Sequence, residues 1–117
     1  MAWYPARFDV STNEDWRDPI ILTNKATGLA LPLTGYAFDM HVRETPESDY
    51  AVMALSTANG RLLVPAPANG TIIINVAVDF MRTIRPGLYG FDMRWLKDGV
   101  RQTFLRGEVQ VNASFTR

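Results

Sequence analysis

Four stretches of the chain alternate apolar and polar residues with a period of two, and this commits most of the sequence to strands. In residues 36–43, Tyr36, Phe38, Met40 and Val42 share one side, with Ala37, Asp39, His41 and Arg43 on the other. Residues 71–78 put Ile72, Ile74, Val76 and Val78 together, and residues 88–96 set Tyr89, Phe91, Met93 and Trp95 against Gly90, Asp92 and Arg94. Residues 101–111 align Thr103, Leu105, Gly107, Val109 and Val111. Side chains of an extended chain point alternately to opposite faces, so each stretch reads as a strand with one face in a core. Gly107 has no side chain to pack, and a bulge or a close backbone approach is expected there.

Shorter apolar runs at residues 16–23, 29–33, 50–55 and 62–64 read as further strands, with Pro19 setting the first at an edge or strand start. Asn59-Gly60, Asn69-Gly70 and Asp98-Gly99 supply the positive φ values that tight hairpins need. Asp98-Gly99 lies between two strongly alternating stretches and marks the clearest hairpin. Residues 78–85 space Phe80, Met81 and Ile84 for about one helical turn, which Pro86-Gly87 ends. Tyr89, near the start of the next strand, is a candidate structural tyrosine corner whose hydroxyl would cap upstream backbone; the alternative is an ordinary buried aromatic. Seven or eight short strands without a long helix predict an all-β, antiparallel β-sandwich, with a small barrel as the other arrangement. The 117 residues suit one domain. Residues 16–117 form the expected sandwich, and the weakly patterned residues 1–15 an N-terminal arm or edge strand.

Composition narrows the chemistry. The chain has no cysteine, which removes disulfides, thiolate zinc sites and cysteine nucleophiles. Its 12 basic residues balance 12 acidic ones, so there is no basic excess to displace counterions, and no nucleic-acid partner is expected. The most apolar window, residues 72–78, is interrupted by Asn75 and falls far short of the ~20 residues of a membrane span, so no membrane partner is expected either. Residues 1–9 lack a basic stretch followed by an apolar one; the expectation is synthesis in a cytoplasm without a signal peptide. His41 is the one histidine, it lies on a polar strand face, and no G-x-S-x-G motif accompanies it. Two acidic clusters (Glu14, Asp15, Asp18 and Glu44, Glu47, Asp49) match no calcium-loop pattern and read as wet loops. No catalytic, cofactor-binding or metal residue is therefore predicted, and the chain is not expected to be an enzyme.

Surface recognition remains. Ten of the 12 basic residues are arginine, a type enriched at protein interfaces. Trp3, Tyr4, Arg7 and Phe8 form the candidate interface, because aromatic and arginine anchors dominate binding hot spots. The alternative is that this segment folds back and packs its aromatics on the sandwich. Asp39, His41 and Arg43 are expected to pair with Asp92 and Arg94 across neighbouring strands.

The order of motifs supports a further comparison. Leu31-Pro-Leu-Thr-Gly35, a strand ending in Val42-Arg43, and the Asn59-Gly60 and Asn69-Gly70 turns make the first half. Pro86-Gly-Leu-Tyr-Gly-Phe-Asp92, Asp98-Gly99, Gly107-Glu-Val-Gln-Val111 and Thr116-Arg117 make the second. This succession resembles the small immunoglobulin-like β-sandwich structural proteins of tailed bacteriophages and prophages, over residues 16–117. The resemblance implies a non-catalytic virion component in the tail, baseplate, connector or fibre-attachment region. Its partners would be other phage structural proteins and copies of itself in a symmetric assembly. A capsid decoration protein and a host-surface carbohydrate-binding module are the competing expectations. Residues 1–15 depart from the pattern.

Overall fold

The computed structural model of the protein describes residues 4–24, 26–45, 47, 48 and 50–113, the first three of these as backbone only. The described residues form eight strands: β1 (Tyr4–Ser11), β2 (Trp16–Ile21), β3 (Ala37–Arg43), β4 (Met53–Ser56), β5 (Leu62–Leu63), β6 (Thr71–Val76), β7 (Gly87–Lys97) and β8 (Val100–Asn112). A 3-10 turn (Pro67–Asn69) precedes β6, and a single helical turn, α1 (Val78–Met81), follows it. The strands make two sheets, of order β1-β8-β7-β3-β4 and β2-β6-β5. All ladders are antiparallel except β1 with β8, which run parallel. Among the described strands no ladder joins the two sheets, so they do not close into a barrel. The architecture is all-β and consistent with a sandwich.

The alternation placed the core residues. Phe38, Met40 and Val42 of β3, Ile72, Ile74 and Val76 of β6, and Tyr89, Phe91 and Met93 of β7 are all buried. They belong to one cluster with Trp16, Leu55, Leu62, Val109 and Val111, drawn from both sheets. Burial of a side chain of this size stabilises by roughly 1.5–3 kcal/mol, which is why period two dictates facing so firmly. Pro19 sits in β2, an edge strand, where its missing N–H breaks no ladder.

Three expectations need correction. The bulge is at Phe104, not Gly107: Met93 pairs with Leu105 and Arg94 with Thr103, leaving Phe104 as the extra residue. Phe104 and Leu105 are both buried, and the Phe104 ring stacks on Trp95 at 5.1 Å and meets Phe38 edge-on at 5.9 Å. Seating that ring reverses the parity of β8, so Thr103 falls opposite Arg94 and outside the inward row. Residues 29–33 form no strand, only the isolated bridge Thr23–Ala30. Here the chain crosses between sheets, Pro32 cannot donate to a ladder, and Leu33 reaches the core from a loop held by its N–H on the Pro67 carbonyl (2.9 Å).

The third correction concerns the turns. Of the three Gly dipeptides, Asp98-Gly99 alone makes a two-residue hairpin turn, with φ of 53° and 78°; Asn69-Gly70 ends the longer connection between the paired strands β5 and β6. Asn59-Gly60 instead carries the chain from one sheet to the other. Asn59 staples it, accepting from the N–H groups of Ser56 and Arg61 and donating to the Ala54 carbonyl. Gly70 ends the 3-10 turn at φ 68°, where any Cβ would come within 2.5 Å of the Leu22 carbonyl oxygen.

Candidate interaction surfaces

The first strand holds the residues singled out for an interface. Trp3 lies outside the described residues, as does the side chain of Tyr4. Residues 4–11 are not a detached arm: β1 is the edge strand beside β8. Phe8 turns inward and packs against Trp16 and Phe91, each at 5.6 Å between ring centres. Core packing thus uses Phe8, because a ring on the inner row of a paired strand has a core to enter. Arg7 points the other way and meets Glu108 at 3.4 Å and Asp9 at 3.6 Å.

The outer face of the five-stranded sheet carries the charges in rows set by register. Asp39 faces Arg94, and their side chains pair at 3.4 Å. His41 faces Asp92, which faces Arg106. In the third row Arg43 faces Gly90, which faces Glu108 and then Arg7. Gly90 contributes no side chain, and a shallow polar depression results, lined by His41, Arg43, Asp92 and Arg106 among others. Arg43 donates to His41 Nδ1 at 3.1 Å, which places the imidazole proton on Nε2. Burial first, then the Arg43 and Arg94 guanidinium groups, hold His41 below its ordinary pKa, with Asp39 and Asp92 opposing. A neutral imidazole flanked by arginines is electrostatically braced.

The acidic residues near Trp16 do structural work. Asp15 accepts from the Val78 N–H at 2.7 Å and caps α1, whose N-cap residue, Ala77, has no oxygen to offer. Asp18 accepts from the Trp16 indole N–H at 2.8 Å. Asp49, in the other cluster, lies outside the described residues. Among the described residues no group of three or more His, Cys, Asp or Glu side chains converges on a metal-sized space.

Tyr89 opens β7 with its hydroxyl donating to the Arg85 carbonyl at 2.5 Å, the bond that a tyrosine corner makes. Burial pushes the phenol pKa up, and Glu44 adds to the shift. The contact ties β7 to the turn that follows α1.

The outer face of the three-stranded sheet differs in kind. Ile72, Ile74 and Val76 fill the inner row of β6, so Thr71, Ile73 and Asn75 lie on the outer one. Register puts Pro19 of β2 and Leu63 of β5 on either side of Ile73, and Ile21 beside Thr71. Ile21 is 65% exposed and Leu63 40%. Pro19, Ile73, Leu63 and Ile21 thus make a contiguous apolar patch facing away from the core. Period-two reading passes over these residues, since it asks which of two faces is apolar. The signal was present nonetheless: Ile20-Ile-Leu22, Leu62-Leu-Val64 and Ile72-Ile-Ile74 are unbroken apolar triplets, and such runs mark strands with two apolar faces. No helix of the described residues is long and apolar enough to cross a membrane. In comparison with known proteins, no family model matches the chain and no curated protein matches it significantly.

Proposed function

We propose that the chain is a non-catalytic structural component of a tailed-phage or prophage virion, an immunoglobulin-like sandwich that docks in the tail, baseplate, connector or fibre-attachment region. The observation carrying a docking role is the patch of Pro19, Ile21, Leu63 and Ile73, which three strands present on a face with no covering layer among the described residues. Exposed apolar area of this kind is costly in water and is matched by a partner surface. The immunoglobulin-like reading draws support from strand order. β2-β6-β5 corresponds to strands B, E and D, and β8-β7-β3-β4 to G, F, C and C′ of a variable-type domain. Tyr89, bonded to Arg85 at the start of β7, sits where that fold has its tyrosine corner. The virion setting rests on the motif succession from Leu31 to Arg117.

Mass spectrometry and cryo-electron microscopy of particles purified from a host carrying the gene provide the test. Peptides of the chain, and sandwich density at the tail or its connector, are expected. Particles without the chain overturn the proposal, and density on the capsid shell moves the location to decoration. A double variant, Ile21→Asp with Leu63→Asp, is expected to melt within a few degrees of the parent and to be lost from the particles. Undiminished incorporation would exclude the apolar patch as the docking surface.

A further inference from the structure

We infer that a second copy of this chain pairs antiparallel along the free edge of β1, joining the two five-stranded sheets across a two-fold axis at Phe8. The inference stands apart from the virion reading. β1 is an edge strand, and its far side pairs with no strand among the described residues. Which backbone groups face that side follows from one bond: the Thr12 N–H donates to the Asn112 carbonyl at 3.1 Å, on the ladder that pairs Ser11 with Asn112. Backbone groups alternate in direction along a strand. Phe8 and Val10 therefore turn their N–H and C=O groups towards β8, and Arg7, Asp9 and Ser11 turn theirs to the free side. Pro5 has the same parity, so the one residue of β1 without an N–H lacks it at the open edge, where no β8 bond is lost.

An antiparallel copy must match outward residues with outward residues, which leaves three central registers. Two of them set Arg7 opposite Arg7 or Asp9 opposite Asp9, with like charges in contact distance across the ladder. The third is centred on Phe8. It sets Arg7 opposite Asp9 of the second copy and Asp9 opposite its Arg7, each pair exchanging both backbone hydrogen bonds. The Ser11 N–H then reaches the Pro5 carbonyl at either end. Arg7 and Asp9 point to the outer face, 50% and 62% exposed in their side chains, and their ion pair within the strand, 3.6 Å long and open to water, is exchanged for the two pairs across the axis. Only this register is self-complementary in both backbone and charge, as a two-fold interface requires. A long edge strand with open bonds and no inward-pointing charge is otherwise a liability.

Sedimentation velocity of the full chain over a concentration series tests the idea. The parent is expected to dimerise. Arg7→Glu and Asp9→Arg, each alone, place like charges across both pairs and are expected to weaken the dimer by about tenfold or more. The mixture of the two variants restores opposite charges at both positions and is expected to form heterodimer. The doubly substituted chain, Arg7→Glu with Asp9→Arg, is expected to dimerise as the parent does. Circular dichroism melting of each variant verifies that the fold is retained. A parent that stays monomeric overturns the inference. So does a dimer indifferent to both substitutions, or singles that fail to pair when mixed.

Discussion

The two sheets turn opposite kinds of surface outwards. On the five-stranded sheet, Asp39, His41, Arg43, Asp92 and Arg94 stand in rows set by register, and Asp39 with Arg94 makes an ion pair within its own face. On the three-stranded sheet, Pro19, Ile73 and Leu63 line up across three strands with nothing charged between them. A face that sets acid beside base can pair its charges within itself. An apolar face of equal regularity cannot do so, and the proposed docking role rests on it. The lesson is that strand register, more than composition, decides which side of a neutral protein is left apolar.

The sharpest way to break this contrast lies within β6. Ile74→Ala, on the inner row, is expected to cost about 2–5 kcal/mol in urea unfolding, through lost transfer energy and a cavity. Ile73→Ala, one residue along, is expected to cost less than about 1 kcal/mol. Equal costs would mean that Ile73 is part of the core and that the outer patch has no independent existence. Tyr89→Phe comes next. It leaves the Arg85 carbonyl without its donor and is expected to cost about 1–3 kcal/mol by the same measurement.

Smaller effects belong to the charged face. Asp39 and Arg94 are half-buried, and a double-mutant cycle of Asp39→Ala and Arg94→Ala is expected to give a coupling of about 1 kcal/mol, the upper end of the range for surface pairs. A coupling near zero would show the rows to be geometric only. The smallest effect is that of His41, a partly exposed group. Its folded pKa lies below the unfolded value of 6.5, so the unfolded chain takes up a proton more readily. Its contribution is present in full above pH 6.5 and declines as the pH falls from there towards the lowered folded value. Melting temperature across pH 5–8 is expected to show a shallow decline on the acid side that His41→Gln flattens. An unchanged acid limb in the variant would remove His41 as its source.

Much of this was legible residue by residue. The inward rows of β3, β6 and β7, the Asp98-Gly99 hairpin, the single turn of α1 and the Asp39–Arg94 pairing all follow from local pattern. Each depends on residues within a few positions, or on two strongly alternating strands. What failed locally failed for a tertiary reason. Phe104 broke the alternation of β8 because the gap beside Trp95 and Phe38 admits a ring. Phe8 went inward because β1 pairs with β8, across nearly the whole length of the chain. Asp15 belongs to α1 through a bond to Val78 that no local pattern announces.

The sequence by itself determined that this protein is built of strands, and which residues of most strands face a core, because side-chain direction in an extended chain is a local property. Only the tertiary structure decided which strands are neighbours. Three apolar triplets far apart in the chain become one patch because β2, β6 and β5 share a sheet, and Arg7 and Asp9 lie along an open edge because β1 runs parallel to β8. Pairing joins residues whose separation along the chain carries no signal of their contact. Surfaces made by pairing therefore emerge only once the sheets are assembled.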